Sequence, residues 1–460
     1  MPCHGNNATP PGPAFAPGAD GIDPAAVARD LGRRWPGGAD PRVRAILPAF
    51  DAPFFQAGLA GYSDAPMRLV ARRHGCPLCV TEALLDRMLL GGGRGFDKAD
   101  LALIADNLPG ADDDHPLAGQ VIGSDPDEMA AAALKMIEQG SRPARAYRDL
   151  AYGAGTLPEY VDSRWSVRTG VEVSRCQGAE GTSPLRHPLT ARHLDTSSPP
   201  TFAAIDVNLA CPVRKIDRKA RGGHWLAEPD GAIDILRAVR AAVPPRIPCT
   251  VKLRRAYDDT PEMERNFQRI FDAAFELGYA WATVHARTVE QKYIGPSRWT
   301  FLRDLVARRP DAVVFGSGDV WDVRDIFRMI AYTGVAGVSV ARGCIGNPWI
   351  FRQARDMLAG RPPLPPTIDE QRDVLLEHFS LCVALHGERA AGKMMRKFGI
   401  RFAAHHPRGD EVRARMIAVT STADWHAVVR EFYGGTHAAA DPPPPAPALA
   451  AASAGEPAIP

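Results

Sequence analysis

Eight short apolar stretches recur along the chain, and they limit the fold more than any other feature. They read PFFQAG (53–58), LCVTEA (78–83), LAGQVI (117–122), AAIDVNL (203–209), TVKLR (250–254), WATVHA (281–286), AVVFGS (312–317) and GVSVA (337–341). Segments with helical periodicity alternate with them, which is the signature of parallel βα units. In DPDEMAAAALKMIEQG, Pro126 stands near the start and Gly140 at the end, while Thr260 is placed to cap TPEMERNFQRIFDAAFELG. Eight such units predict a closed (β/α)8 barrel of the TIM type, with an open doubly wound sheet as the competing reading. The barrel is expected over residues 46–360.

One segment breaks the rhythm. Residues 141–201 carry Arg, Ser and Pro without a clear period. They read as an insertion between a helix and the next strand, on the face opposite the usual active-site end. Residues 365–435 show only helical patterns and are expected to form a separate small domain. The Pro, Gly and Ala content of residues 1–45 and of the stretch 437–460 predicts disordered tails.

At 460 residues the chain exceeds the roughly 250 that such a barrel needs, leaving room for the second domain. An apolar fraction of 45% and a charged fraction of 23% fit a globular protein and exclude a fibrous one. The net charge of +2 means that any nucleic-acid partner must be met by a local basic patch. Eight scattered cysteines suit reduced thiols better than a disulfide scaffold. The start MPCHGNNATPPGP has neither a charged n-region nor an apolar h-region, and no apolar run approaches about 18 residues. A cytoplasmic monomer that does not enter a membrane is expected.

In a barrel of this kind reactive groups sit where strands end. AAIDVNL runs into Ala210, Cys211 and Pro212, then into the basic Val213-Arg214-Lys215 and the pair Gly222-Gly223. By itself a cysteine before proline is more often a buried structural thiol. Lys252, His285 and Arg287 stand at successive strand ends, which suggests an anionic ligand or a set of structural ion pairs. Gly316-Ser317-Gly318-Asp319 and Ala341-Arg342-Gly343-Cys344 follow the last two strands, where this fold binds phosphate on backbone N–H groups. Cys76 and Cys79 have metal or redox spacing but no second pair, and His405 and His406 read as surface groups. No metal is expected.

Taken in order, the motifs resemble the tRNA-dihydrouridine synthase family. They are AGLAGYSDAPMR, Thr81-Glu82, Gln120, DVNLACP, VKLR, TVHART with Gln291, Tyr293 and Gly295, SGDV, ARGCIGNPWIF and KMMRKF, spanning about residues 53–405. The resemblance implies an FMN-containing barrel with a helical tRNA-binding domain, reducing uridine C5–C6 at the expense of NADPH. It implies that Gly58, Leu59, Ala60, Gln120, Lys252 and His285 meet the flavin, and that Ser317, Gly318, Asp319, Ala341 and Arg342 hold its phosphate. It places Cys211 as proton donor and Asn208, Arg287, Lys393, Arg396 and Lys397 on the RNA. An acid must hold its proton, so Cys211 is expected to work as a thiol, not a thiolate. The cations of 389–401 recur at helical spacing and suit a phosphate-facing stripe. Gly58-Leu59, Ala210, Ser317 and Ala341 stand where the family has Pro-Met, Gly, Asn and Gly. An alanine at 341 would crowd a phosphate if that position required positive φ. Two alternatives remain open: a flavin barrel acting on a free pyrimidine, and a flavin-free RNA-binding descendant.

Overall fold

A computed structural model describes residues 21–90, 114–140, 202–212 and 221–434. The stretches 1–20, 91–113, 141–201, 213–220 and 435–460 lie outside it, so the expected insertion, both tail ends and the basic run after Cys211 do too. Nine parallel strands form one sheet: β1 (Phe54–Gln56), β2 (Cys79–Val80), β3 (Leu84–Leu85), β4 (Leu117–Ile122), β5 (Ala204–Leu209), β6 (Cys249–Arg254), β7 (Trp281–His285), β8 (Val314–Ser317) and β9 (Gly337–Val340). β9 pairs with β1 and β2 with β4, so the sheet closes into an eight-strand barrel. All the strands but β3 are buried on both faces along most of their length, as a sheet covered by helices requires.

The expected strand 78–83 ends at Val80, and a second short strand begins beyond it at Leu84. Between β2 and β3 the Thr81 hydroxyl accepts the Gln120 amide at 2.9 Å, so a side chain replaces one rung of the backbone ladder. β3 then pairs with the far end of β4.

Helices cover the outside: α1 (Pro24–Arg34), α2 (Pro41–Ile46), α3 (Ala65–Arg73), α4 (Asp86–Leu90), α5 (Pro126–Gly140), α6 (Pro229–Ala242), α7 (Pro261–Glu276), α8 (Trp299–Arg308), α9 (Val323–Thr333) and α10 (Trp349–Leu358). The caps follow local chemistry. Thr260 accepts the Met263 amide, and Asp322 with Asp325 closes a capping box at α9.

Disorder expected as far as residue 45 is corrected by α1 and α2. Asp23 caps α1, whose buried Ala28 and Leu31 pack against α9 and α10. A single apolar face on a Pro- and Gly-rich background is enough once a docking surface exists.

Residues 368–433 form α11 (Ile368–His386), α12 (Glu388–Phe402), α13 (Gly409–Ala418) and α14 (Thr422–Tyr433). α11 lies against α3, tied by an Arg73–Glu377 ion pair and by His386 Nε2, 3.3 Å from the Asp64 carboxylate. His405 and His406, expected at the surface, are instead interior. His406 bonds the Phe432 carbonyl at 2.9 Å, and the His405 ring packs edge-on against Trp349 at 5.2 Å. Burial pushes His405 down to about 4. Aromatic neighbours on other helices, invisible in the local sequence, draw both rings inward.

Candidate functional site

Strand alternation turns Gln120, Asp206, Asn208, Thr250 and Lys252 toward the barrel interior. Register places Gln120 beside Asp206, Asp206 beside Thr250, and Asn208 beside Lys252. Asp206 accepts from Thr250 Oγ1 at 2.6 Å and from Gln120 Nε2 at 2.7 Å. Gln120 Oε1 accepts from Asn208 Nδ2 at 2.8 Å, and Asn208 Oδ1 accepts from the Ala210 amide at 2.9 Å. A continuous hydrogen-bonded chain therefore runs from a core carboxylate to the residue before Cys211. Burial pushes Asp206 above the usual carboxylate range, against the opposing pull of those donors and of Lys252. The Gln120 and Asn208 amides, expected on flavin and RNA, are oriented by this chain.

Cys211 is half-exposed at the mouth, and its carbonyl accepts the Gly223 amide at 2.9 Å. Arg254, at the end of β6, reaches back to the Ala210 carbonyl at 2.9 Å and also holds the carbonyls of Thr288 at 2.7 Å and Lys292 at 2.8 Å. Burial lowers Arg254 to about 10. Lys252 makes no hydrogen bond or ion pair among the described residues. Burial and the neighbouring Arg254 charge lower its pKa.

His285 is neutral. Burial holds it well below the usual imidazole value, helped by Arg254 and Lys252. Its Nδ1 accepts the Arg287 amide at 3.3 Å, which leaves the ring proton on Nε2. Arg287, expected on the substrate, is only 3% exposed. It is paired with Asp319 at 2.6 Å and bonded to the Gly295 carbonyl at 2.8 Å.

The turns after β8 and β9 were expected to hold a phosphate. Gly318 has φ +111° and Asp319 φ +55°, and the Asp319 carboxylate accepts the Ser297 amide at 2.6 Å. A Cβ on Gly318 would lie 2.3 Å from the Ser297 hydroxyl, which has no hydrogen-bond partner among the described residues. Ala341 has φ −104°, so its methyl meets no left-handed constraint. Arg342 has no carboxylate within pairing distance among the described residues and lies over Trp321 at 4.5 Å. A positive-φ glycine turn near a guanidinium that has no carboxylate within pairing distance among the described residues suits an anion. Ser317 is buried at the end of β8.

Before α3, Gly58 approaches Thr81 so closely that a Cβ would be 2.3 Å from its carbonyl oxygen and 3.3 Å from Gln120 Oε1. Proline, with its Cβ, would not fit this backbone position, which accounts for glycine there. Leu59 and Ala60 follow in a turn closed by the Leu59 amide on Ser63 Oγ at 2.8 Å. From α12, Lys397 donates to the Gly61 carbonyl and sits 4.5 Å from the centre of the Tyr62 ring. Lys393 and Arg396 of the same helix face solvent. The expected basic stripe is thus divided, with Lys397 turned onto the barrel while Arg389, Lys393 and Arg396 are exposed and Arg401 is half-buried.

Cys76 and Cys79 are buried with their sulfurs 3.9 Å apart. Among the described residues no cluster of three or more His, Cys, Asp or Glu could hold a metal, and no helix is long and apolar enough to cross a membrane. Asp206 and Arg254 were not singled out from the sequence. The only available signal was a charged residue interrupting an otherwise apolar strand.

A family model described as Dihydrouridine synthase (Dus) matches residues 196–433, more than half of the chain. A "Probable tRNA-dihydrouridine synthase" of Treponema pallidum is 34% identical over 63% of this chain and 91% of its own length. The protein of the same description from Mycobacterium leprae is 35% identical over 48% of this chain and 57% of its own length. "tRNA-dihydrouridine synthase B" of Pseudomonas putida is 27% identical over 82% of this chain and 90% of its own length. With that family match lying across β5 to α14, which contain Cys211, Lys252, His285 and the turns after β8 and β9, the chain belongs to the dihydrouridine synthase family.

Proposed function

We propose that this protein is a tRNA-dihydrouridine synthase, an oxidoreductase that reduces the C5–C6 double bond of a tRNA uridine using FMN, with NADPH as reductant. The observation that carries the reading is the placement of a half-exposed thiol, Cys211, beyond β5 beside Lys252 of the neighbouring strand β6, which has no hydrogen bond or ion pair among the described residues. The residues present fit FMN. Gly318, Asp319 and Arg342 would hold the phosphate, while Lys252, His285 and Gln120, with Gly58, Leu59 and Ala60, would line the ring. When bound, FMN supplies the hydride that reduces C6.

The chain does the rest. Reduction at C6 leaves negative charge at C5 beside the C4 carbonyl, and Cys211 donates its thiol proton to C5. The resulting thiolate regains a proton from water. Lys252, half-buried and without a hydrogen bond or ion pair among the described residues, offsets negative charge that develops on the ring system. The Asp206–Gln120–Asn208 chain and Arg254 fix the backbone at Ala210, so the acid is aimed before the substrate arrives. Neutral His285 can donate from Nε2 without adding a third positive charge. Lys393 and Arg396 on α12 meet RNA phosphates and help offset the cost of swinging the uridine out of its stack. A tRNA substrate places the enzyme in the cytoplasm.

The test is direct. The purified protein should be yellow with a flavin spectrum, and Cys211→Ala should keep the flavin yet lose dihydrouridine formation on tRNA that lacks the modification. A colourless protein that fails to take up FMN, or undiminished turnover by Cys211→Ala, would refute the reading.

A further inference from the structure

Adjacent residues Tyr293 and Ile294, in the loop between β7 and α8, are 52% and 70% exposed. Exposure of neighbouring large apolar side chains usually marks an interaction site. This loop is also held rigidly. Arg254 grips the Thr288 and Lys292 carbonyls, and Arg255 reaches the Ala286 carbonyl at 3.1 Å and Gln291 Oε1 at 3.0 Å. Arg287 holds Gly295, and the Ile294 amide closes a turn on the Gln291 carbonyl at 2.8 Å. Three buried arginines thus present one exposed tip.

We infer that Tyr293 and Ile294 form a shelf at the barrel mouth on which a nucleobase beside the target uridine stacks. The inference rests on the synthase reading and extends it to a residue that selects RNA. Arg254, which fixes the loop, also bonds the carbonyl next to Cys211, so shelf and acid share one anchor. The guanidinium carbons of Arg342 and Arg254 lie 5.2 Å and 5.7 Å from the Tyr293 ring centre, and Lys292 beside it is exposed. An exposed aromatic ring beside the exposed Lys292 suits unstacked RNA, the base meeting the ring and its phosphate the lysine. A uridine swung into the barrel leaves its neighbour without a stacking partner, and the shelf lies where that neighbour emerges.

The experiment uses full-length flavoprotein and unmodified tRNA transcript, with Tyr293→Ala, Tyr293→Trp and Ile294→Ala. Dihydrouridine formation gives kcat and KM, fluorescence anisotropy without NADPH gives tRNA affinity, and flavin content and Tm report integrity. Tyr293→Ala is expected to weaken tRNA binding and raise KM by roughly 5- to 150-fold, the range of a lost base–aromatic stack. Flavin content and Tm should stay at wild-type values, and Tyr293→Trp should restore affinity. If wild type forms dihydrouridine but Tyr293→Ala binds tRNA equally well, the shelf is refuted and the synthase reading stands. Loss of flavin or Tm in step with affinity, or a wild-type self-association that Tyr293→Ala abolishes, also overturns it. A wild-type protein that forms no dihydrouridine refutes the synthase reading itself, independently of the variants.

Discussion

Replacing Gly318 by alanine tests the proposed phosphate-binding turn with a cost that can be worked from its geometry. At φ +111° an L-residue is strained by roughly 1–3 kcal/mol. The new Cβ would also sit 2.3 Å from Ser297 Oγ and 3.0 Å from Ser297 Cβ. The hydroxyl can rotate away, but Ser297 Cβ cannot, because the Ser297 amide is held by Asp319. Overpacking of this kind adds roughly 1–3 kcal/mol, so the turn must shift or absorb about 2–6 kcal/mol in all. A shift moves Asp319 off Arg287 and spoils the cradle, lowering FMN affinity at least tenfold, since about 1.4 kcal/mol corresponds to a factor of ten. FMN titration of the apoprotein and denaturant unfolding measure the two effects. Gly334→Ala is the control: φ is +73° at the end of α9 and the nearest contact is Val306 Cγ1 at 3.3 Å. It should lose roughly 1–2 kcal/mol of stability and no flavin. Adding Ser297→Ala to Gly318→Ala should recover only part of the loss, because the 3.0 Å contact remains. Unchanged FMN affinity and an unchanged unfolding midpoint in Gly318→Ala would refute the reasoning.

Acid should loosen the helical domain. Burial lowers His378 to about 4, whereas an unfolded histidine titrates near about 6.5, so stability present above about 6.5 is lost as pH falls toward about 4. His378→Leu should flatten the drop in urea midpoint between pH 7.5 and pH 5, and an identical drop in the variant would contradict the assignment. Asp64, held below the ordinary carboxylate range by His386 and His378, titrates beneath that window. On α12, Lys393→Ala and Arg396→Ala should each reduce the slope of log tRNA affinity against log salt by roughly 0.7–0.9. Lys397→Ala should instead lower Tm, because its ammonium is engaged with Gly61 and Tyr62. Equal slopes in all three variants would refute the division of the stripe.

The barrel was readable because strands buried on both faces need continuous apolar runs, and each run here is marked off by a glycine turn or a capped helix. The same rule explains the errors. The N-terminal helices escaped notice because α1 is held by α9 and α10, more than 280 residues later, on a Pro-rich background that gives no local signal. His405 and His406 were misplaced because their burial depends on Trp349, Phe432 and Tyr433. Thr81 breaks its strand through a side-chain bond that only the neighbouring strand supplies.

By itself the sequence determined which groups stand at the strand ends, since a period of two and a strand boundary place Cys211, Lys252 and His285 at one rim. Only the tertiary structure decided which of those groups are free to act. Arg287 and Asp319 neutralise one another, Gln120 and Asn208 are oriented by Asp206, Lys397 turns onto the barrel, and Tyr293 is left exposed. The physical reason is that partnership in a closed barrel is settled across strands far apart in the chain. A buried charge is spent or available according to neighbours that no local pattern records.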